Sequence, residues 1–137
     1  MRFNYTAIDD TPTGLAPRLS WALHHGPHVV EVTGLVDSGS AVNLLPYPVG
    51  IALGAIWEDQ PPLAPLAGSL GQMEARGLVV LASHPQLTAG EPVRVVFAWT
   101  QSQDVPVLFG QVNFFMEFEV CFYRANGYFE VNRRKQS

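Results

Sequence analysis

Cysteine is almost missing from this chain. Cys121 stands alone, which excludes a disulfide framework and a cysteine-based zinc site, and within the apolar run Phe118-Glu119-Val120-Cys121-Phe122-Tyr123 it reads as a small buried residue. Charge is scarce too: charged residues make up 15% of the sequence, and acids outnumber bases 12 to 8 for a formal net charge of -4. That balance argues against a nucleic-acid footprint, and the one basic cluster, Arg133-Arg134-Lys135, reads as a solvated tail. Long amphipathic helical patterns are lacking, and Met1-Arg2-Phe3-Asn4 opens no apolar leader. The expectation is a cytoplasmic protein with no nucleic-acid partner, no membrane partner, no metal and no cofactor.

Turn-forming residues are plentiful instead. The 137 residues hold 11 prolines and 12 glycines beside a 47% hydrophobic content, which suits short strands joined by tight turns better than a helical bundle. The length fits one domain with a real core and excludes a two-lobed enzyme. Residues 1–15 read as an extended arm, 16–132 as the domain and 133–137 as the tail. Leu19 to Leu23 and Val29 to Val36 suit a hairpin closed by His24-His25-Gly26-Pro27-His28. Tyr47 to Gly54 suits a short helical turn ended by its glycine. Gln60-Pro61-Pro62-Leu63-Ala64-Pro65 excludes a central strand and reads as an exposed connection. Leu66 to Ala75 gives two extended arms about a glycine-containing tip, followed by a buried strand from Gly77 to Leu81. Val93 to Trp99 and Val105 to Gly110 read as further strands, and two more flank the Asn126-Gly127 turn signal.

The most informative stretch is Gly34-Leu35-Val36-Asp37-Ser38-Gly39-Ser40-Ala41-Val42-Asn43-Leu44-Leu45-Pro46. An acid, a hydroxyl and a glycine interrupt what otherwise reads as core. Asp-Ser-Gly alone is ordinary turn chemistry, but an exposed hairpin turn seldom lies between two such apolar flanks. A carboxylate held there is costly unless hydrogen-bonded.

These residues resemble the active-site loop of the aspartic proteases: two apolar residues, Asp, Thr or Ser, Gly, Ala or Ser, then an apolar strand. Leu108-Phe109-Gly110 followed by Gln111-Val112-Asn113-Phe114-Phe115 resembles the apolar-apolar-Gly segment and helix that pass beside that loop in retropepsin-like proteases. The order of hairpin, acid loop, flap, apolar-Gly strand, helix and hairpin spans roughly Leu19 to Val131. The resemblance implies an all-β fold: a closed β-barrel-like acid protease half with a flap hairpin and one short helix near the C-terminus, assembled as a homodimer.

Peptide hydrolysis by carboxylates alone needs two of them, one ionised and one protonated. This chain offers one such loop, so the economical arrangement is a homodimer sharing Asp37 across a two-fold axis, with a polypeptide substrate. The resemblance implies Asp37, Ser38 and Gly39 as catalytic-loop residues, Ser38 locking the two loops together and Gly39 presenting its amide to the carboxylate. It implies that Ser40 donates to the outer carboxylate oxygen, shifting the working pH towards acid. Gly68, Ser69, Leu70 and Gly71 become the flap tip over the substrate, and Leu108, Phe109 and Gly110 line its site. One departure stands out. Many retroviral-type enzymes pair an acid four positions after the catalytic Asp with an Arg after the apolar-Gly segment; here those positions hold Ala41 and Gln111. Two functional classes therefore stand: an active dimeric endopeptidase, or a latent domain of the same type used for dimerisation or peptide binding.

His24, His25 and His28 are close enough to raise a metal site, but no acid or cysteine flanks them with ligand spacing, and they read as surface histidines. Trp57, Trp99 and the Phe114-Phe115 pair read as core.

Overall fold

The structure, a computed structural model, describes residues 1–7, 14–64 and 73–135. The chain runs β1 (Arg2–Asn4), β2 (Thr6–Ala7), β3 (Leu15–Ala16), β4 (Arg18–His25), β5 (His28–Val36), β6 (Asn43–Leu45), α1 (Tyr47–Ala52), β7 (Ala75–Ser83), β8 (Val93–Thr100), β9 (Leu108–Phe109), α2 (Phe114–Glu117), β10 (Phe118–Tyr123) and β11 (Tyr128–Arg133). Short 3-10 turns lie at Trp57–Asp59 and Arg124–Asn126. Six strands close a barrel in the order β4-β5-β9-β6-β8-β7, and a separate sheet has the order β1-β11-β10.

Alternation builds the barrel. Along β4, Leu19, Trp21 and Leu23 point inward and are almost fully buried, while Ser20 between them is exposed. β4 pairs antiparallel with β5 from Arg18↔Leu35 to His25↔His28, and it closes the barrel on β7 through Leu23↔Ala82. β7 and β8 form a long antiparallel pair from Ala75↔Thr100 to Ala82↔Val93. Between β5 and β6, β9 is the keystone, parallel to β5 through Val36↔Phe109 and antiparallel to β6 through Leu44↔Leu108.

The barrel is filled by rings. Trp21 lies edge-on to Phe114 and Phe118, and Phe109 packs 4.9 Å from Phe114, centroid to centroid. At the other end Trp99 stacks on Tyr47 at 5.6 Å and meets Trp57 edge-on at 5.2 Å, its Nε1 donating to the Tyr47 carbonyl. Trp57, Trp99 and Phe114 are therefore core, as their sequence setting implied.

Several sequence expectations shift. The described N-terminal residues are extended, and they are held in place: β1 pairs with β11, and β2 pairs with β3. Among the described residues there are two short helices, α1 within the Tyr47 to Gly54 stretch expected to turn helically and α2 near the C-terminus. α2 starts only at Phe114, since the Gln111 and Val112 amides go to carbonyls of the Asp37 loop. The turn before β11 is a 3-10 turn ended by Gly127 at φ 74°, a left-handed conformation that glycine adopts without steric cost. The basic tail is partly tied down: Arg133 ends β11 and donates to the Glu91 carbonyl, and Arg134 N–H donates to the Glu117 carbonyl. Cys121 is exposed, not buried. On β10 the residues Phe118, Val120 and Phe122 share one side, which leaves Cys121, opposite Glu130, on the outer face of the terminal sheet.

Candidate active site

Asp37 sits one residue past the end of β5 and is held from the side by β9. Its N–H donates to the Phe109 carbonyl (2.9 Å), continuing the ladder in which Leu35 N–H donates to the Val107 carbonyl (2.9 Å). The chain then turns tightly: Gly39 N–H donates to Asp37 Oδ1 (2.9 Å), and Ser40 N–H to the Asp37 carbonyl (3.1 Å). The carboxylate is partly exposed in the single chain, and Ser38 and Gly39 are exposed. A short loop carrying an acceptor-only group that is partly shielded and bonded to a backbone amide is suited to hold a carboxylate in one orientation.

Ser40 departs from expectation. Its hydroxyl donates to the Val42 carbonyl at 2.6 Å. A serine hydroxyl has one proton to give, so within the chain that proton is not directed at Asp37, and the acid shift expected from it loses its basis.

The segment after β9 clamps the loop from beneath. Gln111 N–H donates to the Ser40 carbonyl and Val112 N–H to the Ala41 carbonyl, both at 2.9 Å. The Gln111 side chain adds a third bond, Nε2 to the Ser38 carbonyl, at 2.7 Å. Gly110 makes this approach possible: a Cβ there would collide with the carbonyls of Val42 and Ser40. Its own N–H donates to Asn43 Oδ1 at 2.8 Å.

Asn43 anchors the clamp. It is 0% exposed, and its Nδ2 donates to the Val96 carbonyl (3.0 Å) and to Asn113 Oδ1 (3.1 Å). Asn113 in turn accepts from Val96 N–H and donates to the Arg94 carbonyl, each at 3.0 Å. These bonds hold Asn113 at φ 79°, a conformation uncommon for a residue with a side chain. Two side-chain amides thus tie β6, β8, the end of β9 and the start of α2 together directly under the loop.

The remaining site residues divide. Phe109 is 0% exposed, in the aromatic core. Leu108 belongs to a smaller apolar cluster with Leu44, Ala75 and Ala98, against which the partly exposed Leu35, Val42 and Val105 pack. Gly110 is buried under the loop. The groove-lining role expected of Phe109 and Gly110 is therefore replaced by an internal bracing role. Gly68, Ser69, Leu70 and Gly71 lie outside the described residues.

Among the described residues, no group of three or more His, Cys, Asp and Glu side chains could hold a metal ion. His24 Nε2 shares a hydrogen bond with Ser83 Oγ (2.9 Å), His25 Nδ1 donates to the Leu53 carbonyl (3.0 Å), and His28 packs beside Gly54. His24 and His25 are half-buried and only His28 is fully at the surface. His84 lies apart, with its Nδ1 accepting from Gln86 N–H and Leu87 N–H, and burial lowers its pKa.

No family model matches the sequence, and no curated protein matches it. Among solved structures, a retropepsin-like aspartic protease from Rickettsia conorii aligns with a TM-score of 0.67 at 11% identity, over 97% of this chain and 91% of that one. At that identity the likeness shows the fold, which is retropepsin-like. No helix among the described residues is long and apolar enough to cross a membrane.

Proposed function

We propose that two copies of this chain associate to form an aspartic endopeptidase, each contributing Asp37 to one site on the two-fold axis. The observation that carries this reading is the Asp37 loop: within a retropepsin-like fold, a carboxylate at the end of β5 accepts from Gly39 N–H while the loop is clamped through Ser38, Ser40 and Ala41. One chain supplies one such loop. Glu117, Glu119 and Glu130 stand on α2 and the terminal sheet instead.

In the shared site two carboxylates at close range hold one proton between them. The ionised one takes a proton from water as its oxygen bonds to the scissile carbonyl carbon, and the protonated one gives its proton to the carbonyl oxygen. The resulting diol collapses as the C–N bond breaks: the leaving amine takes the proton from the carboxyl that received it from water, and a diol hydroxyl gives its proton to the other carboxylate as the C=O bond re-forms, which restores the singly protonated pair. Ser38, exposed beside Asp37, meets its counterpart across the axis. The substrate is an extended polypeptide bound as an added strand, with Ser40 at the rim. The partly exposed Leu35, Val42 and Val105 beside Leu108 support a preference for an apolar side chain next to the loop.

The terminal sheet supports the assembly. β10 has β11 on one side and, among the described residues, no strand on the other, and its Phe122 and Tyr123 are 38% and 41% exposed. An open apolar edge invites pairing, here with the same edge of a second copy. An exposed, unpaired Cys121 fits a reducing, cytoplasmic setting. The latent reading rests on the absence, at Ala41 and Gln111, of the acid and Arg that brace the dimer in many retroviral-type enzymes; within the chain, Gln111 bonds instead to the Ser38 carbonyl.

The test is to incubate the wild-type chain and Asp37→Asn with an unfolded polypeptide from pH 4 to 7.5 and read the fragments by mass spectrometry. Fragments from the wild type alone are expected. Identical patterns from both, or none from either at concentrations that span dimerisation, overturn the reading.

A further inference from the structure

Three hydrogen bonds run from one short segment onto the Asp37 loop, and they differ in kind. Those from Gln111 N–H and Val112 N–H are backbone bonds, available to almost any side chain. The bond from Gln111 Nε2 to the Ser38 carbonyl depends on the side chain. Among the described residues it is the one side-chain bond from outside the loop that reaches residues 37–41. The segment that carries Gln111 is rigid, because Gly110 is bonded to buried Asn43 and Asn113 is held on two sides by β8. Gln111 is thus a donor on a fixed base aimed at the carbonyl next to the carboxylate-bearing residue.

The geometry points to Gln111 as a positioning residue for Asp37. The Ser38 carbonyl and the Gly39 N–H belong to one peptide group, and that N–H is the donor to Asp37 Oδ1. Fixing the carbonyl fixes the plane, and the plane sets where the N–H points. A neutral amide also makes this bond independent of pH and nearly independent of salt, unlike an ion pair at the surface. Any catalytic consequence rests on the endopeptidase reading, whereas the positioning itself is readable without activity.

The test uses Gln111→Leu and Gln111→Glu in the full chain, with amide hydrogen exchange at Gly39 and Ser40 followed by NMR as protection factors. Val80 and Val95, paired across β7 and β8, serve as internal controls. Gln111 is exposed, so both variants keep the core. Gln111→Leu is expected to lower protection at Gly39 and Ser40 roughly two- to tenfold, the range set by one neutral hydrogen bond, with no change at Val80 and Val95. Gln111→Glu carries a pH signature. Below the carboxyl pKa the acid still donates to Ser38 and protection approaches wild type, whereas at neutral pH the carboxylate faces a carbonyl oxygen and protection falls at least as far as in Gln111→Leu. A general structural role would give the same loss at both pH values. Unchanged protection in Gln111→Leu, or no pH dependence in Gln111→Glu, overturns the inference. Where the wild type cleaves peptide, kcat/KM of Gln111→Glu relative to wild type should rise at least twofold from pH 7 to 4.5. Protection that behaves as stated in a wild type that cleaves nothing upholds the positioning role and sinks the endopeptidase reading.

Discussion

Asn43→Asp is the most revealing single change, because it keeps shape and removes only donors. The Asn43 amide is 0% exposed, accepts from Gly110 N–H, and donates to the Val96 carbonyl and Asn113 Oδ1. A protonated carboxyl at this position still accepts from Gly110 and donates once, so one bond is lost, costing about 1–3 kcal/mol with a buried acceptor left unmatched. An ionised carboxyl loses both donors and faces two oxygens, so burial and these acceptors push the introduced group's folded pKa well above the unfolded value near 3.9. A rise of about three units adds ~4 kcal/mol at pH 7, at 1.36 kcal/mol per unit. The sign follows from linkage: between the two pKa values the folded state binds more protons than the unfolded state, so stability falls as pH rises. The assay is the urea midpoint and slope of wild type and variant at fixed chain concentration, at pH 4.5 and 7.5. The difference between the proteins should be at least 2 kcal/mol larger at pH 7.5, by the same conversion. A pH-independent difference, or one under 1 kcal/mol at pH 7.5, would refute the bonding assigned to Asn43.

Two further outcomes follow from packing and titration. In Gly50→Ala the new methyl meets the indole of Trp99, which is fully buried and wedged between Tyr47 and Trp57, so urea denaturation should show a loss of about 1–3 kcal/mol; a neutral result would mean that this end of the barrel is loosely packed. Burial lowers the His84 pKa from 6.5, so the unfolded state takes up its proton first and stability declines as pH falls below 6.5. His84→Asn keeps an acceptor for Gln86 N–H and does not titrate there, so its urea midpoint should fall less steeply than wild type between pH 6.5 and 5.

Much of the fold is written in short-range pattern. The inward alternation of Leu19, Trp21 and Leu23, and the apolar run ending at Asp37, set the β4–β5 hairpin and put the acid at its end. The parts that stabilise the loop are harder to read. Asn43 and Asn113 are far apart in sequence, and most of their partners are backbone atoms, which have no residue identity to recognise. The one available signal was an amide inside Val42-Asn43-Leu44-Leu45, a polar residue with no reason to be in core unless its bonds are satisfied there. Gln111 reads from sequence as a missing cation, yet its amide reaches the loop without a charge. Cys121 reads as buried from its apolar run but is exposed, because an apolar composition does not say which of its strand's faces is covered. In an edge strand of a one-sided sheet, alternate residues face out whatever their hydrophobicity.

The claim that one active site takes one Asp37 from each of two chains is tested most directly by subunit mixing. Wild type and Asp37→Asn are unfolded together, refolded at fixed total concentration, and assayed for peptide cleavage across mixing ratios. If the two associate at random and only wild-type pairs can share a proton, activity follows the square of the wild-type fraction, so an equal mixture retains about one quarter of the rate. A rate that falls in simple proportion to the wild-type fraction, with about half left in the equal mixture, would contradict a shared site and place all of the chemistry within one chain.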